Sequence, residues 1–162
     1  MKTCGVYVRL NADDSNYEQY MHKMTELARE NNLAIFKVYR DDTGNTDRNQ
    51  LEEMLNDISK GRFVEVVTKN FIGFGDNAAQ MTNFIHRLQK LNVQTVHTYF
   101  GSFSLSDTSH EKFALNVQLC LEDFIHCEQG TSAEVKGRFC AGINMFAMCK
   151  HYETELNNFL KV

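Results

Sequence analysis

Tyr7-Val8-Arg9-Leu10-Asn11-Ala12 closes the first apolar run of the chain and sets the reading of everything after it. Residues 1–9 alternate toward a buried strand, and the Asp- and Asn-rich stretch 11–16 reads as a loop. An arginine and a carboxamide at the end of an otherwise apolar strand do not serve a core. They sit where a parallel α/β sheet gathers its ligand-handling groups, at the carboxyl end of a strand.

Working outward, the spacing predicts strands and helices in alternation. Tyr17, Met21, Met24, Leu27 and Ala28 recur at helical intervals, ending near Asn31-Asn32. Residues 33–39 read as a second strand, and Asp41-Asp42-Thr43-Gly44-Asn45 as a loop. Leu51, Met54, Leu55 and Ile58 predict a helix over 48–60, stopped by Gly61. Phe63 to Thr68 is a β-branched apolar run suited to a strand covered on both faces. Asn70 to Gly75 reads as a loop; Met81, Phe84, Ile85 and Leu88 mark another helix, and Val93 to Tyr99 a further strand. The expected fold is α/β, three-layered, with a central mostly parallel sheet of about 4–5 strands. The loops after Arg9, Arg40 and Lys69 would converge at one end of it.

From Ser109 the character changes to one long helix. Phe113, Val117, Cys120, Leu121 and Phe124 form its apolar stripe. Gly130, Gly137 and Gly142 then punctuate the chain before a terminal helical segment. The expected organisation is an α/β unit over 1–106 and a helical part over 107–162.

Composition narrows the function. The chain has 162 residues, 43% hydrophobic content, 12 Phe and no Pro, enough for an ordinary core. No run of about 18 apolar residues is present, so no membrane span is expected. Five cysteines, Cys4, Cys120, Cys127, Cys140 and Cys149, form no Cys-x-x-Cys pair; reduced thiols and a cytoplasmic location are the expectation, with no metal and no cofactor. His22, His86 and His97 have no metal- or triad-like spacing. The net charge of −4 argues against strong autonomous binding to DNA, since phosphate neutralisation supplies most non-specific affinity.

Four segments, taken in order, resemble the catalytic domain of the serine recombinases, the resolvase and invertase family. Tyr7-x-Arg9-x-Asn11 is similar to the family's nucleophile strand, Tyr-x-Arg-Val-Ser. Asp41-Asp42-Thr43-Gly44 with Asp47-Arg48-Asn49-Gln50-Leu51 resembles its Asp-x-x-Ser-Gly and Arg-x-x-Leu block. Val66 to Asn77 resembles the block containing Arg-Phe-Gly-Arg, and 109–148 falls where the family has its long helix, with Glu128 near a glutamate common there. The resemblance spans roughly residues 3–145.

The resemblance implies metal-free phosphoryl transfer, in which a serine attacks the DNA backbone and arginines stabilise the charged phosphorus centre. Position by position, Arg9 and Arg48 match. Asn11 stands in place of the serine, Gly73 and Asp76 in place of two arginines, Ile72 in place of a Ser or Asp, and Tyr20 in place of a glutamine (Gln19 if the register slips by one). A carboxamide has no oxygen that a base can unmask as a nucleophile. Losing one preorganised oxyanion donor typically costs about 2.7–4 kcal/mol, and Asp76 sets a carboxylate against the phosphate. The resemblance therefore implies a non-catalytic homologue, a homodimer or homotetramer through the 109–129 helix, or a partner of a related active recombinase. DNA binding by the chain alone is expected to be weak or absent. Residues 107–162 carry eight Asp and Glu against five Lys and Arg, and the last 20 residues, with two Glu and two Lys, are not expected to accommodate a basic helix-turn-helix.

Two readings stay open beside it. One is an active DNA-cleaving enzyme with another nucleophile, Ser15 or Cys4. The other is a nucleotide- or nucleic-acid-binding module that keeps Arg9 and Arg48 as an anion site. The pair Asp13 and Asp14 also invites comparison with response-regulator receivers, but their lone acceptor aspartate on a later strand is replaced here by Lys69-Asn70.

Overall fold

The computed structural model describes residues 1–11, 15–105 and 109–127. The C-terminal helical segment, Asp13, Asp14 and Glu128 lie outside the described residues, as do the side chains of Phe113 and Phe124.

Among the described residues, five strands and four α-helices succeed one another as β1 (Lys2–Leu10), α1 (Tyr17–Glu30), β2 (Leu33–Asp42), α2 (Asn49–Ser59), β3 (Glu65–Thr68), α3 (Ala78–Lys90), β4 (Thr95–Thr98), β5 (Gly101–Ser104) and α4 (Ser109–Cys127). The strand order is β2-β1-β3-β4-β5. The first four strands are parallel, and β5 returns antiparallel to β4. The expected α/β architecture is therefore present, and β5 is the element the apolar pattern missed. Its four residues, Gly-Ser-Phe-Ser, offer only Phe103 to the core, too little for a periodicity to register.

Helix α1 covers one face of the sheet, where Met24 and Ala28 pack on Cys4, Val6, Val8 and Val67. The other face is covered by α2, α3 and the inner stripe of α4, whose residues join Tyr7, Tyr39, Val66 and Val96 in the larger core. Leu51, Met54, Leu55 and Ile58 are all buried, as their spacing required. Gly5 is dictated by packing: a Cβ there would lie 2.4 Å from the Phe63 ring.

Two boundaries differ from the sequence reading. Strand β2 runs on through Asp41 and Asp42, and Asp41 is buried rather than part of a turn. Its carboxylate accepts hydrogen bonds from Gln50 N (3.0 Å), Leu51 N (3.0 Å) and the Tyr7 hydroxyl (3.1 Å), so it caps α2 from a neighbouring strand. The stretch read as a loop after β3 holds a single 3₁₀ turn, Phe71–Phe74, because Phe71 and Phe74 both enter the core.

Candidate functional site

The sheet order reverses between β1 and β3, since the chain goes from β1 outward to β2 and then back to β3 on the other side. At such a switch point the loops leaving adjacent strands diverge and open a crevice beyond the strand ends. A cleft of about 350 Å³ lies there, lined by Arg9, Leu10, Tyr20, Thr43, Thr68, Lys69, Asn70, Ile72, Gly73 and Asp76 among others. The loops after β1, β2 and β3 meet as expected.

Arg9 arrives on β1, paired in register with Asp41, and its side chain is only 16% exposed. Arg48 immediately precedes α2 and is 18% exposed. Asp76 is set just ahead of α3 by two local features. Asn77 caps the helix by accepting from Gln80 N (2.9 Å), while the Gln80 side chain reaches back to accept from Asp76 N (2.8 Å). Gly75 fits tightly against this first turn, where a Cβ would come within 2.6 Å of Met81 N.

These three residues meet. Arg9 Nη1 donates to Asp76 Oδ1 at 3.0 Å, and Arg48 Nη2 donates to the same oxygen at 3.2 Å. Arg48 Nη1 also donates to the Gly73 carbonyl at 3.0 Å. One carboxylate oxygen thus bridges two guanidinium groups, an arrangement both cations would otherwise offer to an external anion. The Arg9 Nε atom is buried with no acceptor among the described residues.

Beneath the arginines lies Tyr7. Burial raises its phenol, and the neighbouring Asp41 raises it further, while Arg48 and Arg9 pull the other way more weakly. It remains a neutral hydrogen-bond donor to Asp41.

The remaining candidates fall at the rim or elsewhere. Asn11 is exposed one residue beyond β1. Ser15 is exposed just before α1. Cys4 lies in mid-β1, fully buried, its thiol pushed up to about 11 by burial and then by Glu65. Ile72 and Gly73 sit in the cleft wall. Tyr20 is there too, its hydroxyl accepting from Lys69 Nζ at 3.2 Å.

On α4 the side facing the core carries Leu115, Leu119 and Glu122, all buried. Of the stripe read from the sequence, Val117 and Cys120 are half-buried and Leu121 is 47% exposed. Glu122 Oε2 accepts from Phe71 N (2.5 Å) and Ile72 N (3.2 Å), tying α4 to the 3₁₀ turn that supports the cleft. Burial raises its carboxyl above the ordinary value of 4.5, against hydrogen bonds that lower it. Sequence reading missed Glu122; it shares a helical stripe with Leu115 and Leu119, a polar residue at a core position.

A second polar cluster also went unread. His97 Nε2 lies 3.1 Å from Glu65 Oε2, Lys2 Nζ donates to Glu65 Oε1 at 2.9 Å, and Ser102 Oγ is 2.7 Å from His97 Nδ1. It joins four strands and stands apart from the cleft. Among the described residues, no group of three or more His, Cys, Asp or Glu side chains is placed to hold a metal, and no helix is long and apolar enough to cross a membrane.

Fold and cleft together define a doubly wound α/β domain with an arginine-lined crevice at its switch point. The family model described as Resolvase, N terminal domain matches residues 4–129, and the chain belongs to that family. Its backbone is similar to the N-terminal catalytic domain of TP901-1 integrase, with TM-score 0.59 and 14% identity over 80% of this chain and all of that one. It is also similar to a resolvase family site-specific recombinase from Streptococcus pneumoniae, with TM-score 0.58 and 16% identity over 94% of this chain and 99% of that one. A third likeness is the C-terminal catalytic domain of ISC1926 TnpA, an IS607-like serine recombinase, at TM-score 0.51 and 12% identity over 88% and 98% of the two chains. No curated protein sequence matches the chain significantly.

Proposed function

We propose that this serine-recombinase-like domain is non-catalytic and acts through protein–protein contact. The observation that carries the proposal is the Asp76 carboxylate held by both Arg9 and Arg48. These are the two cations that the family resemblance assigns to the DNA phosphate. In phosphoryl transfer, preorganised cations stabilise charge developing on the transferring group. Here their donors are engaged by an internal anion that would also repel an incoming phosphate. With Asn11 at the nucleophile position and Gly73 and Ile72 beside the pair, the positions that the family resemblance assigns to the nucleophile and to two further polar groups carry neither a hydroxyl nor a cation.

The alternative nucleophile Cys4 is disfavoured by its own environment, since a fully buried thiol raised to about 11 yields almost no thiolate near neutrality. Contact with another protein is assigned to the outward side of α4, where Leu121 is 47% exposed and Val117 half-buried while Leu115 and Leu119 are used internally. Its partner is a second copy or a related active recombinase. Sedimentation of the whole chain tests this. A dimer or tetramer that Leu121→Glu converts to monomer is expected; a wild-type monomer with no affinity for a related recombinase contradicts it.

A further inference from the structure

Beside the arginine pair, Tyr20 and Lys69 line the cleft and begin a surface the recombinase reading does not use. Aromatic rings and cations alternate along it. Tyr17 and Tyr20 share a stripe of α1 with Lys23, at i, i+3 and i+6. The Arg40 guanidinium lies 4.3 Å from the Tyr17 ring centre, Lys69 Nζ 4.6 Å from that of Tyr20, and Lys23 Nζ 5.7 Å from that of Tyr99. Tyr99 N donates to the Lys69 carbonyl at 3.2 Å, which fixes the β4–β5 turn against the end of β3. Next to it, Phe100 is 61% exposed.

Tyr17 and Tyr20 also pack against the core beneath α1, but the more exposed Tyr99 and Phe100 belong to neither core cluster. Tyr99 and Phe100 are the two central residues of a tight hairpin turn between Thr98 and Gly101; the positive φ falls on Gly101, and nothing in the turn's backbone calls for an aromatic ring. A phenylalanine this exposed at a turn tip contributes little burial and costs solubility. The stripe also runs against the net charge of −4, since it gathers Lys23, Arg40 and Lys69 on one surface. Rings that stack on planar faces, interleaved with cations a few ångströms away, match one ligand chemistry well. Unpaired nucleobases present π-faces, and their linking phosphates present the charges. A duplex keeps its base faces stacked internally and can use only the cations.

We infer that Tyr99 and Phe100, with Lys23 beside Tyr99 and with Arg40 and Lys69 held by the α1 tyrosines, bind single-stranded nucleic acid by stacking bases on the exposed rings and pairing phosphates with the cations. The surface is separate from the outward side of α4 and does not depend on the oligomer. It does not use the Arg9–Arg48 pair either.

Fluorescence anisotropy tests it with a labelled oligothymidylate of about 12 nucleotides, a site size within the known range, and a duplex of the same length, at about 50 mM salt. Single-strand binding at least about tenfold tighter than duplex binding is expected. Phe100→Ala removes an exposed ring and leaves the core intact; it is expected to weaken single-strand binding about fivefold or more. Lys69→Met is expected to weaken it and flatten its salt dependence, and Arg87→Ala, on α3 and paired with Glu52, to leave it unchanged. No single-strand binding, equal binding of the duplex, or binding indifferent to Phe100→Ala overturns the inference. Loss of binding in Arg48→Ala with Phe100→Ala silent assigns the affinity to the arginine pair and also overturns it.

Discussion

Asp76 is the residue on which the chemistry turns. Its carboxylate is 62% exposed, and the guanidinium groups it bridges are mostly covered, so the interaction is worth little to stability and much to the character of the cleft. Asp76→Asn is expected to change unfolding free energy by less than about 1 kcal/mol. It should also raise affinity for inorganic phosphate or sulfate, measured by anion-dependent shifts in melting temperature, and Arg48→Ala in the same background should abolish the gain. Asp41 is the opposite case, since its carboxylate satisfies two helix N–H groups and a buried phenol at once. Removing a charged acceptor that leaves buried donors orphaned costs about 1.5–3 kcal/mol per lost partnership at most. Asp41→Ala should therefore destabilise by about 2–4 kcal/mol in urea unfolding. Asp41→Asn, which keeps an acceptor oxygen, should recover part of that loss.

At the scale of elements, α4 is joined to the α/β unit by an apolar stripe and by Glu122. The Glu122 carboxyl is raised in the folded state, first by burial. A raised carboxyl contributes stability that is fully present below its unfolded value near 4.5 and is lost as pH rises through its folded value. Glu122→Gln keeps an acceptor for Phe71 N and Ile72 N without the cost of a buried charge. It should raise the melting temperature at neutral pH and remove that part of the pH dependence. Glu122→Ala leaves two N–H groups without their acceptor and should lower stability by about 1–3 kcal/mol. Calorimetry of the three proteins between pH 4 and 8 checks both signs.

For the whole molecule, the layered α/β plan was legible because its signals are apolar and periodic. The stripe Leu51, Met54, Leu55, Ile58 and the run Phe63 to Thr68 each report burial on one or both faces. Strand β5 was not legible, because Phe103 alone points to the core and its partnership with β4 depends on a hairpin that no Asn-Gly or Asp-Gly announces. The cleft was half legible. Motif order placed Arg9, Arg48, Gly73 and Asp76 near one another, but no spacing rule says that one carboxylate oxygen will meet both guanidinium groups across 28 and 67 residues. Glu65, His97 and Lys2 were silent for the same reason, since each comes from a different strand. That buried tie is expected to matter: Glu65→Ala removes the hydrogen-bond partner of the buried His97 ring and the acceptor of Lys2, a change expected to cost about 1–3 kcal/mol, and chemical denaturation with circular dichroism would register it.

The account of a kept scaffold and absent chemistry meets its most direct test in covalent capture. Wild type and Asn11→Ser are incubated with pooled supercoiled plasmid, denatured, and resolved for protein covalently joined to DNA and for nicked circles. Neither is expected to give adduct or nicks, because Asp76 still occupies the arginines and Gly73 and Ile72 supply no replacement. A covalent adduct from wild type, or one restored by Asn11→Ser alone, would contradict it.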